Sequence, residues 1–502
     1  MGIRPVVLIV LDWWGESPLE RHNAIFSART PNFDSYRKDY AHTTLVTSGE
    51  GVGLPEGQMG NSEVGHMTIG AGKIIDTDIV RIKKAIQNGE FAKNEKLQNL
   101  FHTVNEHSSC LHVMGLLSDG GIHSHHEHLF AFLRSAKDAG VQSVAIHLFL
   151  DGRDTAPTNS VKYLQELDAF TKELGLGTIA TIGGRYFGMD RDNNWDRLEK
   201  MTDAMFGGKG KVCAIAPSDF VKEFHGQGIS DEHIEPFLVG NAGQEPLCIA
   251  ENDGIFFFNF RSDRARMLTE KLLEKKDEYH LSIVTMTEYK KGYDVEVLFP
   301  PMSIETTIAK EVSEVGLTQV HIAETEKFPH ATYFLNGGVE DLYEGEKRVL
   351  LDSRKDVVTH DLAPEMRARD IAKEAVREVE AGADFIFINF ANADMVGHTA
   401  NVPAIIEALE ITDEALGQVV NAVHKKGGVV IITADHGNAE MNVDENGAPH
   451  TAHTYNVVPC IITNTQGELR AGGTLADIAP TVLAVMGLRK PACMTGVDVR
   501  MV

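Results

Sequence analysis

Three short apolar stretches of the sequence each lead into a carboxylate, and this repeated pattern constrains the fold more than any other feature. The stretches are residues 6–11, 385–388 and 429–433, and the carboxylates that follow are Asp12, Asp394 and Asp435. Apolar runs of this length between amphipathic helical stretches are typical of buried strands in a parallel sheet covered by helices. Ligands in such folds bind at the carboxyl ends of the strands. The pattern therefore predicts an α/β fold with carboxylates gathered at one sheet edge.

The organisation of the chain follows from its length and its punctuation. With 502 residues, the chain exceeds what one compact core accommodates, so two domains are expected. Further strands are predicted at 144–150, 255–258 and 281–285, and long helices at 368–380 and 404–426. The segment Phe-Pro-Pro-Met at 299–302 is a candidate linker. Carboxylates on either side of it share a site only if the middle of the chain is an insertion.

Composition excludes several classes of partner and location. The net charge of −25 disfavours binding to nucleic acid or to an anionic membrane surface. No apolar run approaches the roughly 20 residues that a membrane-spanning helix needs, and the first residues lack the pattern of a secretory signal. The five cysteines are scattered and show no close pairs. We therefore expect a cytoplasmic protein. No coiled coil or apolar interface stripe is evident in the sequence, so a monomer is the default expectation.

Carboxylates and imidazoles are concentrated in the C-terminal part of the chain. The candidate metal ligands there are Asp394, His398, Asp435, His436 and His453. Mixed oxygen and imidazole ligands suit manganese, zinc or a similar ion better than metals that prefer thiolates. Asp12 and Ser62 would complete a second site, and two metals about 3.5–4 Å apart commonly assist in-line phosphoryl displacement. The alternative is a set of unrelated polar loop residues.

Ser62 lies in the glycine-rich segment 57–66, where glycines allow the backbone to approach a ligand closely. A serine hydroxyl is a weak nucleophile at neutral pH, and coordination to a divalent metal is one way to activate it. The alternative is that Asn61 and Ser62 cap the following helix. Taken without the rest of the chain, the segment favours the cap.

The order and spacing of many motifs resemble the cofactor-independent phosphoglycerate mutases, a family of the alkaline phosphatase superfamily. Besides residue 12, the motifs lie at 57–66, 118–123, 151–154, 184–185, 189–191, 259–264, 323–327, 394–398, 435–438 and 450–453. The resemblance covers nearly the whole chain. Its most specific part is the block Gln-Met-Gly-Asn-Ser-Glu-Val-Gly-His at 58–66.

The resemblance implies an isomerase of glycolysis and gluconeogenesis that interconverts 3-phosphoglycerate and 2-phosphoglycerate. Transfer would pass through a phosphoserine on Ser62, without 2,3-bisphosphoglycerate. It further implies a phosphatase-like metal domain at 1–76 and 302–502, with a transferase domain inserted at 77–301. Two divalent metals, manganese by family, would be held as follows: one by Asp394, His398 and His453, and the other by Asp12, Asp435, His436 and Ser62.

Five arginines in loops rich in glycine or aspartate indicate an anion pocket in the middle of this acidic chain. They are Arg153, Arg185, Arg191, Arg261 and Arg264. Guanidinium groups bind carboxylate and phosphate in bidentate fashion, although a single arginine is more often a solvated surface charge. The resemblance implies that Asp154 is the general base, that His123 contacts substrate, and that Lys327 stabilises charge on the transferring phosphoryl group. Without the resemblance, Lys327 would be an ordinary exposed lysine.

One departure from the family pattern stands next to a candidate metal ligand. The family has glycine after the first metal aspartate, whereas Trp13 follows Asp12 here. We expect the indole to turn toward solvent or the domain interface.

Two other functions stay open. A related metal-dependent phosphatase or phosphopentomutase would share the metal ligands but would not need the 151–154 motif, and a non-catalytic homologue would have little use for Ser62 beside a full ligand set.

Overall fold

The computed structural model describes residues 2–240, 246–444, 446–465 and 467–501. The chain forms two compact units. One combines Met1–Thr77 with Ser303–Val502, and the other is Asp78–Met302. Each unit has its own eight-stranded sheet and its own buried apolar core. The fold class predicted from the sequence, an α/β unit inserted into another α/β unit, is confirmed.

Strands and helices alternate along most of the chain. In chain order the strands are β1 (Val6–Leu11), β2 (Ala41–Val46), β3 (Leu111–Leu117), β4 (Val144–Leu150), β5 (Thr178–Gly184), β6 (Lys211–Cys213), β7 (Phe237–Val239), β8 (Gly254–Phe257), β9 (Ser282–Thr287), β10 (Glu296–Phe299), β11 (Gln319–Glu324), β12 (Glu346–Leu351), β13 (Phe385–Phe390), β14 (Val429–Thr433), β15 (Val458–Ile462) and β16 (Gly473–Thr474). The predicted strands lie within two residues of these bounds.

The helices cover the faces of the two sheets. They are α1 (Ala24–Ser27), α2 (Pro31–Asp39), α3 (Ser62–Ala71), α4 (Asp78–Gln87), α5 (Glu90–Lys93), α6 (Glu95–His107), α7 (His126–Asp138), α8 (Ser160–Leu174), α9 (Arg185–Gly188), α10 (Trp195–Gly207), α11 (Pro217–Gly226), α12 (Arg266–Tyr279), α13 (Ile308–Glu314), α14 (Ala368–Ala381), α15 (Asn392–Gly397), α16 (Val402–Lys425) and α17 (Ile478–Val485). Among the described helices, none combines the length and apolar character that a membrane span requires.

The sheet of the first unit has the order β12-β11-β13-β1-β14-β15-β2-β16. Strand β1 lies between β13 and β14, is parallel to both, and all residues of these three strands are buried. The three strands that lead into carboxylates are therefore neighbours, with their carboxyl ends at one edge. The parallel prediction is wrong for β15, which is antiparallel to β14 and β2. The described part of 434–457 contains no helix to form a parallel crossover, so the chain turns back.

The sheet of the second unit has the order β10-β9-β8-β3-β4-β5-β7-β6 and is parallel except between β5 and β7. In register, Leu117 of β3 pairs with Leu150 of β4, which pairs with Gly184 of β5. These strands end together, so the loops that follow them gather at one edge of the sheet. Arg185 begins helix α9 directly after β5, and the segments that follow these strands also contain His123, Arg153, Asp154 and Arg191.

Two histidines on neighbouring strands of this second sheet form a buried polar chain. His112 Nδ1 lies 2.8 Å from His147 Nε2, and His112 Nε2 lies 3.0 Å from Asp253 Oδ2. His147 Nδ1 lies 2.8 Å from Thr181 Oγ1. Burial opposes the charged form, but hydrogen bonds to Asp253 and Cys110 raise the pKa of His112 to about 9. The pKa of His147 is lowered by burial, so the pair carries one positive charge at neutral pH.

Candidate active site

Ser62 is the first residue of helix α3, and its hydroxyl points into a buried polar cluster. Its Oγ lies 2.9 Å from His436 Nε2, 2.8 Å from Lys327 Nζ and 3.4 Å from Asp12 Oδ1. The side chain of Asn61 caps the helix by accepting a hydrogen bond from the backbone N–H of Val64. The capping role considered for Asn61 and Ser62 therefore belongs to Asn61, and the Ser62 hydroxyl is left for other contacts.

The glycines around Ser62 allow helix α3 to pack against the strand ends. A Cβ at Gly65 would lie 2.9 Å from the Cβ of Asp435, closer than side-chain carbon atoms normally approach. Only glycine lets this turn of the helix lie against the residues that follow β14. The glycine-rich composition of 57–66 thus positions Ser62 beside Asp435 and His436.

Lys327 is buried at the centre of the cluster, in the turn after β11. Its Nζ lies 3.0 Å from Asp12 Oδ1 and 2.7 Å from Asp394 Oδ2, in addition to its contact with Ser62. Burial opposes the charged form, but Asp12, Asp394 and Asp435 raise the pKa of Lys327 above its ordinary value. Lys327 is therefore a permanent cation beside the serine hydroxyl, and not the exposed lysine of the alternative interpretation.

The three carboxylates carry more negative charge than this single ammonium balances. Asp12, Asp394 and Asp435 are each at most 3% exposed. Burial, and then the carboxylate of Asp435, raise the pKa of Asp12 to about 7. Burial also opposes ionisation of Asp394, yet the Lys327 ammonium holds the pKa of Asp394 well below its usual range. Two negative charges remain uncompensated when all three carboxylates are ionised.

The polar atoms in this cluster fit divalent cations. Asp394 Oδ1 and Asp435 Oδ2 have no hydrogen-bond partner among the described residues. Burial of a carboxylate oxygen without a donor or a cation is unfavourable. Carboxylate and imidazole are also the ligand types that manganese and zinc accept. The residues present therefore fit the metals that the resemblance implies.

The distances between candidate ligands define two groups, and these groups differ partly from the two metal sites that the resemblance implies. Two sets have ligand atoms within 4.8 Å of one another, namely Asp394, His436 and His453, and Asp12, His66 and Asp435. His436 thus falls with the first set, and His66 takes its place in the second. His398 lies at the rim, where its Nε2 is 3.5 Å from Asp394 Oδ1 and its side chain is 48% exposed.

His66 supports the site and does not present a lone pair to a metal. Its Nδ1 lies 2.8 Å from the backbone oxygen of Ser62, which can only accept, so Nδ1 carries the proton. The same nitrogen is 3.4 Å from Asp435 Oδ2. On the other side, Asn389 Nδ2 lies 3.1 Å from His66 Nε2 and donates to Asp12 Oδ2 at 2.9 Å. His66 and Asn389 therefore orient two candidate ligands.

Three histidines have a ring nitrogen that faces the carboxylates. His453 Nδ1 lies 2.6 Å from the Gly60 carbonyl oxygen, and His398 Nδ1 lies 3.1 Å from that of Thr451. Because a carbonyl oxygen accepts a hydrogen bond, both rings carry a proton on Nδ1 and turn Nε2 toward Asp394. The hydrogen bond with Asp394 raises the pKa of His398. Burial lowers the pKa of His436 to about 3, so this ring is neutral. Neutral imidazoles are the form that binds metals.

The expectation that the Trp13 ring turns toward solvent or the domain interface is wrong. Trp13 has a φ of 76° and is fully buried. Its ring centroid is 4.5 Å from that of His398 and 5.9 Å from that of His453. A tryptophan in the left-handed region is uncommon, and here the direction of Cβ sends the indole inward, over the histidines.

The inserted unit gathers its own cluster of charges at the carboxyl ends of β3, β4, β5 and β8. Arg185 is 2% exposed, and its Nη1 donates at 2.6 Å to both Asp151 Oδ1 and Asp154 Oδ2. His123 Nε2 lies 3.9 Å from Asp154 Oδ2. Burial, together with the nearby Arg185 guanidinium, lowers the pKa of His123 to about 4. The predicted base Asp154 thus lies beside two of the predicted substrate contacts.

Two of the remaining arginines contact Asp263, whose role the sequence interpretation missed. Arg191 Nη1 lies 3.0 Å from Asp263 Oδ2, and Arg261 Nε lies 3.2 Å from Asp263 Oδ1. Arg264 donates to the Met189 carbonyl oxygen at 3.1 Å. Burial, and then the neighbouring arginines, lower the pKa of Arg264.

Arg153 is more exposed than the other members of this cluster. Its Nη1 lies 3.5 Å from Glu232 Oε1, and its side chain is 54% exposed. The group as a whole can bind an anion with several carboxyl or phosphate oxygens, because guanidinium groups converge on one region.

Comparison with known proteins extends over both units. A family model described as the BPG-independent PGAM N-terminus matches residues 82–291, and a type I phosphodiesterase / nucleotide pyrophosphatase model matches 258–484. The 2,3-bisphosphoglycerate-independent phosphoglycerate mutase of Listeria welshimeri is 45% identical over 99% of both chains, and that of Syntrophotalea carbinolica is 45% identical over 98% of both. A crystal structure of Leishmania mexicana phosphoglycerate mutase at low cobalt concentration is similar, with a TM-score of 0.56, 29% identity, and coverage of 100% of this chain and 98% of that chain.

Proposed function

The chain belongs to the 2,3-bisphosphoglycerate-independent phosphoglycerate mutases, and we propose that it interconverts 3-phosphoglycerate and 2-phosphoglycerate through a phosphoserine on Ser62. The resemblance seen in the sequence motifs is confirmed by the full-length similarity. One observation carries the mechanism: the Ser62 hydroxyl contacts a lysine, a neutral imidazole and a carboxylate at once. No 2,3-bisphosphoglycerate is needed, because the phosphoryl group stays on the enzyme between its departure and its return.

In the first step, the Ser62 oxygen attacks phosphorus and the bond from phosphorus to the glycerate oxygen breaks. That oxygen takes a proton from Asp154 as it leaves, and Asp154 recovers a proton in the second step. The Ser62 hydroxyl accepts a hydrogen bond from Lys327, so its own proton is directed toward His436 Nε2 or Asp12 Oδ1. The Lys327 ammonium then lies beside the phosphoryl oxygens and stabilises their charge. Ser62 also begins a ten-residue helix, whose N-terminus favours an attached phosphate.

Divalent metals, for which we propose Mn²⁺, would be held by Asp394, His398 and His453 and by Asp12, Asp435, His436 and Ser62. When bound, they would lower the pKa of the serine hydroxyl and neutralise charge on the phosphoryl group. His66 and Asn389 would keep Asp435 and Asp12 in place for this role. The two uncompensated negative charges of the cluster support a requirement for cations.

In the second step, the other hydroxyl of the glycerate attacks the phosphorus of the phosphoserine and loses its proton. The bond from phosphorus to Ser62 Oγ breaks, and Ser62 regains the proton that it gave up in the first step. We assign the proton of the attacking hydroxyl to Asp154, whose carboxylate lies beside His123 and Arg185. Five arginines would hold the carboxylate and phosphate of the substrate, namely Arg153, Arg185, Arg191, Arg261 and Arg264. Turnover requires that these arginines and Ser62 act on the same substrate molecule. Glycerate must stay bound between the steps, since its loss would turn the reaction into hydrolysis.

The test is to trap the intermediate. Protein incubated with 3-phosphoglycerate and Mn²⁺ is quenched in acid and digested, and phosphoserine is sought by mass spectrometry. We expect phosphate on Ser62 and none in Ser62→Ala, which should keep its fold. Thr68→Val is a matched control, because Thr68 is buried in the same helix and lies outside the cluster. Full turnover by Ser62→Ala would overturn the phosphoserine route.

A further inference from the structure

Trp13 joins the ends of two neighbouring strands beside the candidate metal ligands. It directly follows Asp12, and its carbonyl oxygen accepts hydrogen bonds from the backbone N–H groups of Asn438 and Ala439, both at 3.2 Å. Its φ of 76° is unfavourable for a residue with a Cβ, so the surrounding packing must hold this conformation. The loop after β1 and the loop after β14 are thereby fixed to one another.

The indole contacts both imidazoles that face Asp394. Its ring is tilted by 43° against His398 at a centroid distance of 4.5 Å, and it meets His453 edge to face at 5.9 Å. Each imidazole also has one nitrogen at hydrogen-bond distance from a backbone carbonyl oxygen. The hydrogen bond fixes one edge of each ring, and the indole packs against both rings and limits how far they can tilt.

The two histidines depend on the indole to different extents. His453 also stacks on His436 at a centroid distance of 3.8 Å, so a second ring holds it. The His398 side chain is 48% exposed, and its described ring contacts are those with Trp13 and His453. Loss of the indole should therefore release His398 more than His453.

A glycine in helix α15 makes room for this arrangement. A Cβ at Gly397 would lie 1.6 Å from Cζ3 of Trp13, so the indole fills the space that a side chain at 397 would occupy. The indole is thus lodged between α15 and the histidine rings. A side chain at 397 therefore cannot be accommodated unless the indole moves.

We infer that Trp13 is a positioning residue for the metal site of Asp394, His398 and His453 and sets the affinity of that site for divalent cations. The inference rests on the proposed function, because it takes from that proposal the identity of the ligands. Trp13 does not ligate a cation itself, since indole offers no lone pair for one. It acts by holding His398 and His453 with their Nε2 atoms toward Asp394.

The experiment is a calorimetric titration of metal-stripped protein with MnCl₂. We expect two sites in the unaltered protein and an affinity about 10- to 100-fold lower at one of them in Trp13→Ala, as for other residues that orient metal ligands. Trp13→Phe should give an intermediate loss at the same site. Trp14→Phe is the matched control, because Trp14 is equally buried but packs on Phe33 at 4.9 Å, and it should leave both sites unchanged.

Intrinsic fluorescence provides a second measurement that does not require Trp13→Ala to fold. Co²⁺ binding to the unaltered protein should quench a component of emission that is missing in Trp13→Phe and present in Trp14→Phe. Equal quenching in Trp13→Phe and Trp14→Phe would overturn the inference. So would Mn²⁺ affinities that are unchanged at both metal sites in Trp13→Phe and Trp13→Ala. If the unaltered protein binds two metals and converts substrate, and the Trp13 variants bind metal with unchanged affinity, only this inference is refuted. Failure of the unaltered protein to bind metal would refute the proposed metal sites as well.

Discussion

Lys327 Nζ lies 2.8 Å from Ser62 Oγ, although the two residues are 265 positions apart in the chain. The same ammonium contacts Asp12 and Asp394, so its three protons are directed at one hydroxyl and two carboxylates. Because these acids keep Lys327 charged despite its burial, the site offers a fixed cation where phosphoryl charge would develop.

Replacement of Lys327 by methionine should therefore impair transfer more than metal binding. We expect kcat for Lys327→Met to fall by about 10²–10³-fold, the usual loss when a donor to a charged transition state is removed. Bound Mn²⁺ should be retained, because the variant loses a competing positive charge. Lys347→Met is the control, since Lys347 is half exposed and pairs with Glu378 at 2.8 Å, in the same unit but outside the site. A decrease in kcat of less than tenfold would contradict the role of Lys327.

The contact between Trp13 and Gly397 predicts strong coupling between two distant sequence positions. Gly397→Ala should be destabilising by about 1–3 kcal/mol or more, because the new methyl overlaps the indole. In a Trp13→Gly background the same methyl should be tolerated, since it enters the space left by the ring. Urea denaturation of the four proteins in this double-mutant cycle measures the coupling. Additive effects on the free energy of unfolding would mean that the two residues do not compete for space.

Arg185 and Arg153 should differ in their effect on stability even though both are proposed to bind substrate. Arg185→Met leaves the carboxylates of Asp151 and Asp154 without their buried partner, which should lower the free energy of unfolding by about 3–5 kcal/mol. Arg153→Met removes an exposed ion pair and should cost less than about 1 kcal/mol. The comparison is made by urea denaturation of the two full-length variants, with unfolding monitored by circular dichroism. Equal stability of the two variants would show that Arg185 is not paired as described.

The buried histidine chain of the inserted unit predicts a loss of stability at alkaline pH. Folding raises the pKa of His112 from an ordinary value of about 6.5 to about 9, so the folded state binds a proton more tightly. The resulting stability is complete below about pH 6.5 and is lost as the pH rises to about 9, with a magnitude on the order of a few kcal/mol. Thermal unfolding between these pH values measures the slope. Asp253→Asn removes the partner of His112 and should flatten it, and an unchanged slope in that variant would exclude His112 as its source.

The pattern of apolar runs and the spacing of motifs predict the strands and many site residues of this protein, because they indicate which residues are buried and where strands end. The neighbouring strands β1, β13 and β14 follow from three apolar runs, and the residues after each run lie together. Buried supporting residues are harder to identify. Asn389, a polar residue in an otherwise apolar strand, was a usable signal that the interpretation missed.

Side-chain direction and charge pairing could not be derived from the sequence. The inward indole of Trp13 depends on a positive φ and on the absence of a Cβ at Gly397, which no local pattern encodes. Likewise, the arginine motifs do not reveal that Arg185 is paired with Asp151 and Asp154. Strand β15 is antiparallel because the described part of the connection 434–457 contains no helix. This connection is long enough for a helix, so its length alone does not predict the direction of β15.

The most direct measurement is conversion of 3-phosphoglycerate by metal-stripped protein, with and without Mn²⁺ and in the strict absence of 2,3-bisphosphoglycerate. Both 2-phosphoglycerate and free phosphate are followed over time. We predict metal-dependent formation of 2-phosphoglycerate with little phosphate, because the glycerate is held until the phosphoryl group returns. Release of phosphate without 2-phosphoglycerate would indicate a phosphatase, and no conversion by protein with Mn²⁺ bound would contradict the proposed reaction.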